Sequence, residues 1–166
     1  KYRRPADQIA DLKRVDQEIR NLHLDARGSE LYSYDVTWAA ETTNPVLGNG
    51  TLSGKYRRVG TLVLVNVRLV IGSTTTQGSG AWNFDTPFAV DTSSYWAGSC
   101  TAYNDSAGNW HSGNSMIEGS GPSAGKIVGV VGSGGATGVI RLRAGTPVSW
   151  DADSSIFISI WYGTTE

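Results

Sequence analysis

Chemistry-bearing residues are thinly spread in this chain, and the first to weigh is the run 119–127, Gly-Ser-Gly-Pro-Ser-Ala-Gly-Lys-Ile. It echoes a phosphate-binding loop. Such a loop needs Gly, four residues, Gly-Lys, and then a Ser or Thr that reaches Mg²⁺. Here Ser120 stands at the first glycine position and Ile127 replaces the hydroxyl. The residues after it read as strand, so no helix N-terminus faces an anion. The same strand gives Ser123 the wrong flanks for a nucleophile elbow. There are two histidines, His23 and His111, and no sign of a base and an orienting acid converging on a serine. Asp151 and Asp153 are close in sequence, but Asp-Ala-Asp-Ser reads as a turn and lacks the EF-hand glycine and distal Glu. Asp85, Asp91, Asp105 and Glu118 are scattered, so a paired-carboxylate site cannot be inferred. Cys100 is the single cysteine, which permits no internal disulfide and reads as a small buried residue. The expectation is no catalytic residue, no metal and no cofactor.

The aromatic residues offer binding rather than catalysis. Trp38, Trp82, Trp150 and Trp161 fall inside strand patterns and read as core or interface anchors. Tyr95, Trp96, Tyr103 and Trp110 flank a polar segment rich in Ser, Asn and Gly. Aromatic platforms beside such loops stack on sugars, and ordinary packing at loop bases is the competing reading. Trp96, Tyr103, Trp110 and His111 are the candidate ligand contacts.

The elements that must position these residues fall into two regions. The chain has 166 residues, enough for one domain and a short appendage. Its net charge of −1 offers no basic footprint for nucleic acid. No apolar run reaches the ~18 residues of a membrane span, and the charged N-terminus does not read as a signal peptide. Residues 1–28 form an arm and a helix over 5–27. Pro5 suits the first helical turn, Asp7 and Asp11 suit the positive end, and Gly28 stops the helix. Leu12, Val15, Ile19, Leu22 and Ala26 are spaced 3, 4, 3 and 4, a heptad seam. That stripe must pack either on its own domain or, as expected here, in a short parallel coiled coil.

From about residue 34 to 166 the pattern changes to period two with turn punctuation. Candidate strands are residues 34–39, 51–58, 62–73, 81–84, 88–90, 95–103, 110–118, 126–131, 139–143, 148–150 and 154–162. The short Val59-Gly60-Thr61 turn makes 51–71 one hairpin. The absence of β-α-β alternation and the strand spacing predict a mainly β, antiparallel, jelly-roll-like β sandwich. The strand at 62–71 looks apolar on both sides. Val63, Val65, Val67, Leu69 and Ile71 form one wholly apolar set. Leu62, Leu64, Asn66, Arg68 and Val70 form another, broken by two polar residues. The first set suits a core, and the second suits a subunit interface, which tolerates Arg and paired polar groups. Leu12, Val15, Ile19, Leu22, Leu62, Leu64 and Arg68 are therefore the expected oligomer contacts.

Residues 42–60, T-T-N-P-V-L-G-N-G-T-L-S-G-K-Y-R-R-V-G, resemble the opening of a domain found in tail-associated proteins of phages that infect actinobacteria. The continuation is similar: a long apolar strand, G-S-T-T-T at 72–76, G-S-G-A-W-N-F at 78–84, and Pro87. The closing run 147–166 also resembles that family's last strand. The likeness covers roughly 36–90 and 147–166, while 91–145 match poorly. It implies a fold and a virion setting, not catalytic residues. The combined expectation is a homotrimeric virion appendage on the particle surface. Its partners would be its own copies, other tail or capsid proteins, and host cell-wall glycan, with no nucleic acid and no membrane insertion. A capsid decoration or head-fibre protein without a receptor is the alternative, and a glycan-cleaving tail enzyme the third.

Overall fold

The computed structural model describes residues 12–15, 30–121, 123–132 and 139–166. Strand β4 (Leu62–Val70) shows why the chain folds as it does. Val63, Val65, Val67 and Leu69 are sealed from solvent, while the alternate residues stay partly or fully exposed. Each such aliphatic side chain contributes ~1.5–3 kcal/mol when buried. β3 (Thr51–Val59) pairs with β4 through a two-residue Gly60-Thr61 loop. Gly60 has φ of 59°, the left-handed value that a type II′ turn needs at its first loop position.

The remaining strands among the described residues are β1 (Tyr32–Tyr34), β2 (Trp38–Ala40), β5 (Trp82–Phe84), β6 (Trp96–Asn104), β7 (Asn109–Ile117), β8 (Ile127–Gly132), β9 (Val139–Arg141) and β10 (Ser155–Gly163). They form one antiparallel sheet ordered β1-β3-β4-β10-β6-β7-β8-β5-β2, with β9 added to β8. The closing strand β10 is inserted between β4 and β6 and pairs with both. Its Ile156, Ile158, Ile160 and Tyr162 point inward, with Phe157 and Trp161 outward and exposed.

The chain is mainly β and antiparallel as expected, and its strands are bonded as one continuous curled sheet. β10 bridges the N-terminal hairpin to the β6-β7-β8 meander, so the ladder has no gap. β1 and β2 lie at opposite ends of the strand order yet are joined by residues 35–37. Four Cα steps reach at most ~14 Å, so the sheet must roll until its edges approach. The Tyr34 hydroxyl donates to the Asp85 carbonyl at 3.2 Å, and the Thr37 N–H donates to the Asp85 carboxylate at 2.7 Å. These bonds tie the β1 edge to the end of β5.

The inner face of the roll is the core. Trp82 is fully buried there, edge-on to Trp38 at 5.0 Å and tilted against Trp150 at 5.2 Å. Its indole N–H donates to the Gln77 carbonyl at 2.8 Å, which removes the cost of burying that polar atom.

Three expected elements differ. Residues 34–39 are two short strands separated at 35–37, because the chain crosses there from one sheet edge to the other. Residues 88–90 and 148–150 are not strands. Val90 makes only an isolated bridge to Thr164, and Trp150 plugs the roll with its N–H on the Arg143 carbonyl at 2.9 Å. Residues 12–15 form a helical turn with Leu12 and Val15 exposed, and no packed seam is seen there. The rest of the expected coiled-coil helix, including Ile19 and Leu22, lies outside the described residues.

Candidate functional site

The register sets the outward side chains of β3, β4, β10, β6 and β7 in rows. One row reads Ser53, Arg68, Phe157, Thr101 and Ser112. The next reads Lys55, Asn66, Ser159, Ser99 and Asn114. Between these rows the outer face sinks into a depression of about 410 Å³. Hydroxyl and amide groups line it together with Phe157, its cations are Lys55 and Arg68, and no carboxylate among the described residues lines it.

An aromatic ridge closes one end. Tyr103 and Trp110 face each other across β6 and β7 with ring centroids 4.6 Å apart, and Trp110 lies 6.4 Å from Phe157. The Arg68 guanidinium sits over the Phe157 ring at 5.4 Å. A planar cation stacked on a ring is weakly hydrated and held in place, ready for a second partner.

The other end of the face is mostly apolar, with Arg57 opposite Leu64. Val59 pairs with Leu62, and Leu64 pairs with Trp161. Leu62 and Trp161 are each 47% exposed and Val59 39%, so this patch has no cover within the described residues. Leu62 and Leu64, read from the sequence as interface residues, both belong to it. Arg68, read with them, lies instead in the polar depression.

The four candidate ligand contacts divide between the two faces. Tyr103 and Trp110 point outward, whereas Trp96 and His111 point inward. Trp96 packs on the core, and its N–H donates to the Asp91 carbonyl at 2.8 Å. His111 pairs with the fully buried Ala102, and its Nε2 is buried without a hydrogen bond. Phe157 and Lys55 were missed by sequence reasoning. Strict alternation in Ile-Phe-Ile-Ser-Ile-Trp-Tyr was the signal that could have found Phe157.

The residues weighed for catalysis are placed structurally. Asp151 accepts from the Ser106 hydroxyl at 2.6 Å, and Asp153 holds a turn with φ of 67°. Glu41 and Glu118 both bind Arg141. Ser123 is buried and, among the described residues, its hydroxyl has no hydrogen-bond partner. Burial pushes the Cys100 thiol up to about 12, far from a reactive thiolate.

Comparison with known proteins adds one likeness. Over 55 residues the chain is 38% identical to the Mu-like prophage FluMu defective tail fiber protein of Haemophilus influenzae. Those residues are 33% of this chain, and the chain spans only 9% of that relative's length. No family model matches the chain, and no solved structure matches it. The likeness is therefore to a phage tail fibre protein, weak and partial, carried on a mainly β chain.

Proposed function

We propose that this chain is the head domain of a phage tail fibre, a homotrimer that attaches the virion to glycan on the host cell surface. The observation that carries the reading is the 55-residue likeness to a tail fibre protein. A separate and narrower reading is the resemblance of residues 42–60 and 147–166 to tail-associated proteins of actinobacterial phages.

Two features support assembly. The heptad seam of Leu12, Val15, Ile19 and Leu22 needs a partner stripe. The exposed Val59, Leu62 and Trp161, with the half-buried Leu64, form an apolar surface that a second copy would cover. A closed threefold assembly repeats one outer face three times. Attachment then arises from multivalency: each contact is weak, and simultaneous engagement raises the combined affinity by ~10²–10⁴. The polar depression and its aromatic ridge supply the kind of surface a sugar uses. Binding is favoured over cleavage because Asp151 accepts from the Ser106 hydroxyl and Glu118 is paired with Arg141.

The test is light scattering on the full chain and then cell binding. The expected mass is three times the 17.7 kDa of one chain. Labelled protein should bind cells of the phage's host and lose that binding after periodate destroys their vicinal diols. A monomer, or binding indifferent to periodate, would overturn the proposal.

A further inference from the structure

We propose that the outer-face depression is a subsite for an acidic saccharide. Its anionic group would sit between Lys55 and Arg68, and its ring would lie against Phe157. This rests on the attachment reading above and names the chemical class that the site would take.

Charge carries the inference. Lys55 and Arg68 are both exposed, both line the depression, and make no ion pair among the described residues. The ladder pairs Lys55 with Asn66, two residues from Arg68 on β4. The two cations are therefore diagonal neighbours, ~7–8 Å apart at the backbone. That spacing lets both reach one carboxylate or phosphate from opposite sides. No acidic side chain among the described residues lines the site to neutralise them, although the whole chain carries 15 Asp and Glu against 14 Lys and Arg. The local excess of positive charge is thus a property of this face, not of the composition.

The floor fits the rest of a sugar. Asn66, Ser99 and Thr101 line the depression, and their side chains have no hydrogen-bond partner among the described residues. Hydroxyls and amides both donate and accept, as sugar hydroxyls require. Phe157 gives an apolar surface at the edge, continued by Trp110. The volume of about 410 Å³ lies within the ~300–1,000 Å³ range of small-ligand sites.

The experiment is calorimetric titration of the full chain with trigalacturonate, mannose 6-phosphate and neutral maltotriose. At least one acidic probe should bind about tenfold or more tightly than maltotriose, and added salt should weaken it. Binding of trigalacturonate alone identifies a carboxylate as the recognised group, and of mannose 6-phosphate alone a phosphate; either supports the subsite. Arg68→Gln and Lys55→Gln should each weaken the acidic probe about tenfold, the loss of one charge-assisted hydrogen bond. Arg68→Lys should recover part of that loss. Arg143→Gln makes the same charge change at an exposed position outside the depression and should leave affinity unchanged. Equal affinity for acidic and neutral probes overturns the subsite, as does an Arg143→Gln loss matching that of Arg68→Gln. If the acidic preference is absent while the chain still binds host cells, the subsite falls and the fibre reading stands. If the preference holds but host cells are ignored, the reverse is true.

Discussion

Adjacent residues on β4 should fail in different ways. Val65 is fully buried on the inner face, and Leu64 is half-buried on the outer face. Val65→Asp removes ~1.5–3 kcal/mol of burial. It also places a carboxylate in the core, which costs several kcal/mol unless paired. The sum approaches the ~5–15 kcal/mol that holds a domain together, so the variant should be unfolded. Leu64→Asp puts the new carboxylate opposite Arg57 on β3. An opposite-charge cross-strand pair returns ~0.2–1 kcal/mol, so the fold should change by about 1 kcal/mol or less. In the proposed trimer the same carboxylate enters an apolar contact with Trp161 and Leu62 beside it. A poorly paired interfacial charge costs ~2–5 kcal/mol, or roughly 30-fold to several-thousand-fold in association. Circular dichroism with a urea titration reads the fold, and light scattering reads the mass. The expected result is unfolded Val65→Asp beside folded, dissociated Leu64→Asp. Wild-type mass from Leu64→Asp would refute the patch as an interface, and a stably folded Val65→Asp would refute the assignment of faces.

The same structure sets other outcomes. Trp82→Ala should cost ~3–5 kcal/mol by emptying the centre of the core, seen as a large fall in the urea midpoint. Gly54→Ala should cost ~1–3 kcal/mol, because a methyl there runs into the Tyr34 ring and the Val36 side chain. Gly60→Ala has open space around it, so its loss of ~1–2 kcal/mol should come from the left-handed backbone alone; replacement by a D-residue should recover it. Burial pushes the Cys100 thiol and the Tyr162 hydroxyl each up to about 12, from 9.0 and 10.0. The folded state therefore holds these protons more tightly than the unfolded chain. Their contribution is intact below pH 9 and is lost as the pH rises towards 12. Urea midpoints that stay flat across that window would contradict this.

Local periodicity made some of this legible in the sequence. β4 and β10 carry bulky apolar residues on one alternate set, so their inward faces come directly from period two. The Gly60 turn was legible because only a short loop separates two long runs. β6 was not legible in the same way. Its inward Gly98, Cys100 and Ala102 and its outward Ala97, Ser99 and Thr101 are all small, so neither set announces the core. In the sequence Trp96 groups with Tyr103 because both flank a polar segment, although residues seven apart on one strand point to opposite faces. Bulk is not needed inward on this stretch because strands approach closely there: a methyl on Gly98 would meet the Ile160 backbone at 2.7 Å. The place of β10 between β4 and β6 had no local signal at all. It depends on pairing between residues about ninety apart for β4, as in Val67 with Ile158. The polar depression was hidden for the same reason, since its two cations come from different strands and its ring from a third.

The most direct test of the tail-fibre account is electron microscopy of intact phage particles labelled with a gold-tagged antibody against this chain. The account predicts label at the tail, on a projecting density with threefold symmetry. Label on the capsid, or particles that carry none, would contradict it.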